Sequence, residues 1–269
     1  NMVRKHADSN VFKGNVSASY GSWDKQRYVL DLQAPLVESG KVRGRLITGY
    51  QDNDSAVDNY HYRKKFLYGV VDADVTDSTT LSVGYEYQES HTADPTWGGL
   101  PTWYSDGSKT HYDRSQTVAP DWAYSDKDNT RIFANLTQRF DNGWEAHING
   151  MHAETHFDSK LMYMSGYPDK ETGAGMVGYG GWNRGERKQD AIDAFLRGDF
   201  SLFGRQHEMM FGGSFSRQRN HYDNSMPDAL YGMVDVGNFK NWNGTIADPQ
   251  WTPWKLYSQD DIRQSSAYT

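Results

Sequence analysis

Residues 67–88 read LYGVVDADVTDSTTLSVGYEYQ. In this stretch Leu67, Gly69, Val71, Ala73 and Val75 alternate with Asp72 and Asp74. After Thr76-Asp77-Ser78, a second run sets Leu81, Val83, Tyr85 and Tyr87 against Ser82, Glu86 and Gln88. Successive side chains of a strand point to opposite faces, so a period of two gives each run one apolar and one polar face. The polar triplet between the runs predicts a tight turn and hence an antiparallel hairpin.

The same pattern extends outward in both directions. Phe12, Gly14, Val16, Ala18 and Tyr20 oppose Lys13, Asn15, Ser17 and Ser19. Tyr28, Leu30 and Leu32 oppose Val29, Asp31 and Gln33, and Val42, Gly44, Leu46 and Tyr50 oppose Arg43, Arg45 and Gln51. Farther on, Ile132, Ala134, Leu136 and Phe140 oppose Arg131, Asn135, Thr137 and Arg139. Ile192, Ala194, Leu196 and Phe200 oppose Asp193, Arg197 and Asp199. Several runs exceed the roughly five or six residues usual in soluble sandwiches, which favours a barrel.

The connections alternate in length. Glu38-Ser39-Gly40, Thr76-Asp77-Ser78, Asp141-Asn142-Gly143 and Phe203-Gly204-Arg205 are short. The segments from Asp52 to about Tyr62, His91 to Asn129, Tyr163 to Lys188 and His221 to Asp261 are long. Clipped turns on one side and extended loops on the other are what transmembrane barrels have. The expected fold is all-β: an incomplete transmembrane antiparallel β-barrel of about nine strands, with a possible tenth from Ser265, whereas large outer-membrane transporters have about 22. Trp144, Phe140, Tyr28 and Tyr20 fall near strand ends, where an aromatic girdle meets lipid headgroups.

Composition agrees with this class. The chain has 269 residues, no cysteine, 14% aromatic residues and a net charge of -7. No segment approaches the ~18 apolar residues of a membrane-spanning helix, whereas a barrel strand needs only ~9–11 residues, every second one apolar. Mild acidity gives no reason to bind nucleic acid, which demands clustered positive charge. Absence of cysteine excludes disulfides and thiolate metal sites.

Asp94-Pro95-Thr96-Trp97-Gly98-Gly99-Leu100-Pro101, Ala119-Pro120-Asp121-Trp122-Ala123-Tyr124 and Leu202-Phe203-Gly204-Arg205-Gln206-His207 occur in that order, after an opening Asn1-Met2-Val3-Arg4-Lys5. In these motifs the chain resembles TonB-dependent siderophore receptors, and among them those for ferric hydroxamates of the coprogen and rhodotorulic acid type. The resemblance implies that residues 1–9 are the end of an N-terminal plug and 10–269 the first part of the barrel. It also implies an outer-membrane importer energised by TonB. The iron is carried inside the siderophore, with no cofactor or metal held by the protein itself.

The residues expected to grip the ligand are loop aromatics, because rigid rings supply contact area at little entropic cost. They are Trp97, Trp103, Tyr104, Trp122, Tyr163, Trp182, Tyr222 and Trp242, with Trp97 matching the family's ligand-contacting loop tryptophan by motif. Trp122 and Trp251, each two residues from a proline (Pro120 and Pro253), also fit packing of the loops on themselves. His152, Glu154 and His156 share a strand face but continue the face of Trp144, Ala146 and Ile148, so a solvated exterior is expected rather than a metal site. Asp52, Asp54 and Asp58 lack the glycine and bidentate glutamate of a calcium loop. The cluster Gly173, Gly175, Gly178, Gly180 and Gly181 reads as a mobile loop. No nucleophile, base and acid stand together, so an enzyme is not expected. The rival readings are a receptor of the same family for a different siderophore, a passive porin-like or adhesin barrel, and a soluble glycan-binding β protein.

Overall fold

A computed structural model describes residues 4–229 and 233–269. The first three residues of the sequence, Asn1-Met2-Val3, lie outside the described residues. The chain forms one antiparallel sheet: β1 (Lys13–Gly21), β2 (Lys25–Pro35), β3 (Val42–Asp54), β4 (His61–Asp74), β5 (Thr79–Ala93), β6 (Tyr124–Arg139), β7 (Glu145–Gly166), β8 (Met176–Leu202), β9 (Arg205–Ser225), β10 (Met233–Asp235) and β11 (Lys255–Tyr268). Each strand pairs with the next in order from β1 to β9 and then β11, while the short β10 pairs with the far end of β8. No described helix is long and apolar enough to cross a membrane, which leaves a β-barrel untouched.

Register assigns the two faces. Val71 pairs with Val83, Val83 with Ala134, Ala134 with Gly150 and Gly150 with Ile192, so the apolar set of every strand falls on one side. Ile132 on that side is 51% exposed, whereas its neighbour Phe133 on the other side is 1% exposed. Large apolar side chains bared along a whole sheet face suit lipid rather than water. Tyr20, Tyr28 and Phe140 are exposed on this face near strand ends, where the girdle is expected.

The inner face receives residues 4–9. The buried Asp72 carboxylate binds His6 Nδ1 at 2.9 Å and also accepts from the Ala7 N–H and from Ser82. Arg43 Nε donates to the Ala7 carbonyl at 2.9 Å, and Arg45 is held by Asp31 while reaching the His6 carbonyl at 3.0 Å. The Arg4 guanidinium lies 4.5 Å above the Phe133 ring. A buried carboxylate with these partners is satisfied, and together they fix the segment against β3–β5.

The short turns stand where expected. Between β8 and β9 only Phe203 (φ 51°) and Gly204 (φ 72°) intervene, two left-handed residues in succession, as the tightest hairpin turns require. The long side differs from expectation. β7 has 22 residues, β8 has 27 and β9 has 21. At about 3.3 Å per residue β8 is on the order of 90 Å long, several times a bilayer core. Tyr163, Trp182 and Tyr222 therefore stand on strands instead of loops. β11 likewise begins at Lys255, well before Ser265, so the true loops are 55–60, 94–123, 167–175 and 226–254. Beyond the lipid both faces meet water or other protein, so the apolar period of two that marks a strand in sequence fades while the hydrogen-bond ladder continues.

A Cβ on Gly84 would run into the Phe133 ring, whereas one on Gly69 meets nothing within 4 Å. Gly84→Ala should destabilise the detergent-solubilised full-length protein by about 1–3 kcal/mol through overpacking. Gly69→Ala should leave its urea midpoint unchanged.

Candidate functional site

At the loop end, the inner face gathers aromatic rings from three strands and one loop. Tyr163 of β7 stacks on Tyr179 of β8 at 5.1 Å, directly opposite in register. Trp97 meets Tyr163 edge to face at 5.2 Å and covers Gly181, whose Cβ would lie 3.1 Å from its ring. Trp97 remains 40% and Tyr163 37% exposed, so both rings still offer surface to a ligand. Nearer the membrane on the same face, Tyr222 of β9 packs on Phe157 of β7 at 5.5 Å, and Arg187 donates to its hydroxyl at 3.4 Å.

The other expected ligand residues lie apart from this group. Trp182 faces outward, donating from Nε1 to Asp158 at 2.7 Å and packing on Trp251 at 5.7 Å and Trp254 at 4.9 Å. Lys160 beside it is largely covered, with its ammonium 4.7 Å from the Trp182 ring and 2.7 Å from Asp248. This cage pins residues 248–254 against the outer side of β7 and β8. Trp122 packs edge to face on Trp251 at 5.7 Å. Trp122 and Trp242 also border a core built from Val118, Met162, Met164, Met176, Val234 and Phe239. Trp103 bridges to Lys109 across a turn within its own loop, and Lys170 lies 5.9 Å over the Tyr104 ring.

Loop 94–123 is thus clamped on several sides. Its Ser105 N–H donates to the Pro168 carbonyl at 3.0 Å, its Asp121 N–H to Gly244 at 2.9 Å, and its Ser115 carbonyl accepts from Asp58 at 2.7 Å. Its base is closed by the Asp94 N–H donating to the Ala123 carbonyl at 2.9 Å.

Sequence reading missed Tyr179, Phe157 and Arg187. All three alternate correctly with inner-face neighbours, but the glycines around Tyr179 suggested a mobile loop. In the fold Gly178, Gly180 and Gly181 belong to β8, and each is bare because a neighbour lies over it: Met162, Pro227 and Trp97 respectively. His152 and His156 sit on the outer face, bonded to carboxylates of adjacent strands, Asp190 at 2.7 Å and Asp128 at 3.1 Å.

No family model matches the chain. It is 33% identical over its full length to a ferric-pyoverdine BN7/BN8 receptor of Pseudomonas putida, covering 34% of that protein. It is also 33% identical over its full length to the ferripyoverdine receptor of Pseudomonas aeruginosa, covering 33% of that one. The crystal structure of the Pseudomonas aeruginosa ferripyoverdine receptor bound to ferripyoverdine superposes on 98% of this chain with a TM-score of 0.91 at 31% identity, using 35% of that chain. The alcaligin receptor of Bordetella pertussis superposes on 82% with a TM-score of 0.57 at 26% identity, using 30% of that chain. The chain spans about a third of the length of the relatives it matches. These relatives are receptors, in keeping with a non-enzymatic protein.

Burial and the charge of Asp121 raise the pKa of Asp94 at the loop base. A carboxyl raised in the folded state stabilises the loop below its ordinary value and loses that contribution as pH rises through the elevated one. Hydrogen-exchange protection of residues 94–123 should therefore fall from mildly acidic to neutral pH. Asp94→Asn, which tolerates the positive φ of 49° there, should flatten the profile.

The sheet and its register match those of an outer-membrane ferripyoverdine receptor over the third of its length that the chain spans, and the chain is similar throughout to the TonB-dependent siderophore receptor family.

Proposed function

We propose that the whole protein imports a ferric siderophore across the outer membrane, with TonB as its energising partner and lipid around the barrel. Residues 1–9 are then the end of a plug and 10–269 the first barrel strands with their ligand-gripping loops. The observation that carries this reading is the half-exposed Trp97, Tyr163 and Tyr179 stack on the inner face, at the loop end of a sheet matching a ferripyoverdine receptor. Trp97, Tyr163 and Tyr222 are the ring faces presented to the ligand. Trp103 and Tyr104 border the entrance, and Trp122, Trp182 and Trp242 act by holding loops in place. The relatives named above are pyoverdine receptors, so a pyoverdine-type ferric complex is the first ligand to test, and a coprogen-type hydroxamate the narrower second.

Tryptophan quenching of the full-length receptor by ferripyoverdine and by ferric coprogen checks the proposal. Saturable binding of one of them, weakened about tenfold by Trp97→Ala, a loss of about 1.4 kcal/mol, is expected. Absence of saturable binding to either would favour a passive porin-like barrel.

A further inference from the structure

Charge is sorted between the two faces of the sheet at the loop end. One inner-face row runs Ser19, Arg27, Gln51, Lys64, Ser90, Lys127, Phe157, Gly185 and Tyr222 across β1–β9. The row one step toward the membrane runs Ser17, Val29, Gly49, Phe66, Gln88, Asn129, Thr155, Arg187 and Asn220. Alternate strands β2, β4, β6 and β8 thus each contribute one cation, Arg27, Lys64, Lys127 and Arg187. Across β1–β9 neither row contains a carboxylate, and on β11 the first row continues to Ser258 and the second to Asp260. Among the described residues none of the four makes an ion pair, although 26 pairs involving other groups are formed.

The outer rows at the same height carry the acids: Asp52, Glu89, Asp126, Asp128, Glu186 and Asp223. Most face a base across the ladder, as in Arg63 with Asp52 at 3.3 Å and Arg184 with Asp223 at 3.2 Å. Although the chain's net charge is -7, these two inner rows across β1–β9 present four cations without an ion-pair partner, on the rows of Phe157 and Tyr222 and to the membrane side of the Trp97, Tyr163 and Tyr179 stack. Like charges aligned along a concave wall focus the field and raise the local concentration of opposite charge.

We infer that the ligand captured at this mouth is a net-anionic ferric chelate, steered inward by Arg27, Lys64, Lys127 and Arg187. The ligand's nature rests on the siderophore reading, whereas the positive strip stands on register and side-chain identity. Its charge can be probed without the siderophore. Ser90 lies between Lys64 and Lys127 in register, and the chain has no cysteine, so Ser90→Cys places a thiol reporter between the two ammonium groups. In the full-length receptor at low ionic strength, the anionic sulfonate methanethiosulfonate should outpace its cationic trimethylammonium counterpart by about tenfold relative to Thr130→Cys on the outer face. Adding Lys64→Gln and Lys127→Gln should erase most of that preference. Equal relative rates at the two positions would overturn the inference, because carboxylates from elsewhere in the protein would then neutralise the strip. The association rate of ferripyoverdine should fall with added salt and fall less in the double glutamine variant, and a salt-independent rate would also overturn it. Failure of ferripyoverdine to bind while the reagent preference persists would instead sink the ligand assignment alone.

Discussion

Everything in this sheet depends on the antiparallel hydrogen-bond ladder. Residues paired across two strands point to the same side, so the facing of one side chain dictates that of its partner in every neighbouring strand. Ten strands obeying one register convert local alternation into two continuous surfaces. A slip by one residue in any hairpin would turn its apolar set toward the lumen and its charges toward lipid. The tight turns, above all the two left-handed residues between β8 and β9, hold that register.

The ladder continues where the hydrophobic pattern stops. Beyond the membrane, β7, β8 and β9 rise as bare scaffolding on which loops are mounted from both sides. On the outer side the Lys160 cage and the core around Met162 anchor loops 94–123 and 226–254. On the inner side Trp97, Tyr163 and Tyr179 share one stack. A loop fixed on its back by cation–π and apolar packing holds its front ring already ordered. Glycines in β8 serve this arrangement, since any side chain at Gly181 would displace Trp97.

Strand faces, short turns and the lipid-facing band were legible because each is a local consequence of spacing: Leu67 to Val75 and Leu81 to Tyr87 need no partner to reveal their period. Strand length above the membrane was not, because residues such as His152 to Lys160 have two hydrated or covered faces and no apolar alternation to follow. Tyr163, Trp182 and Tyr222 consequently read as loop residues. Nor could tryptophan identity separate inner-face rings from loop anchors, since Trp97 and Trp182 differ by the side of the sheet they occupy.

By itself the sequence determined a two-faced antiparallel sheet with a greasy exterior and carried a resemblance to siderophore receptors, because period, turn chemistry and local motifs are properties of contiguous residues. Only the tertiary structure decided which aromatics share a site, that the glycines of β8 lie in a covered strand, and that Arg27, Lys64, Lys127 and Arg187 fall on adjacent inner rows. Those residues are separated by tens of positions along the chain, and cross-strand register alone brings such distant charges together.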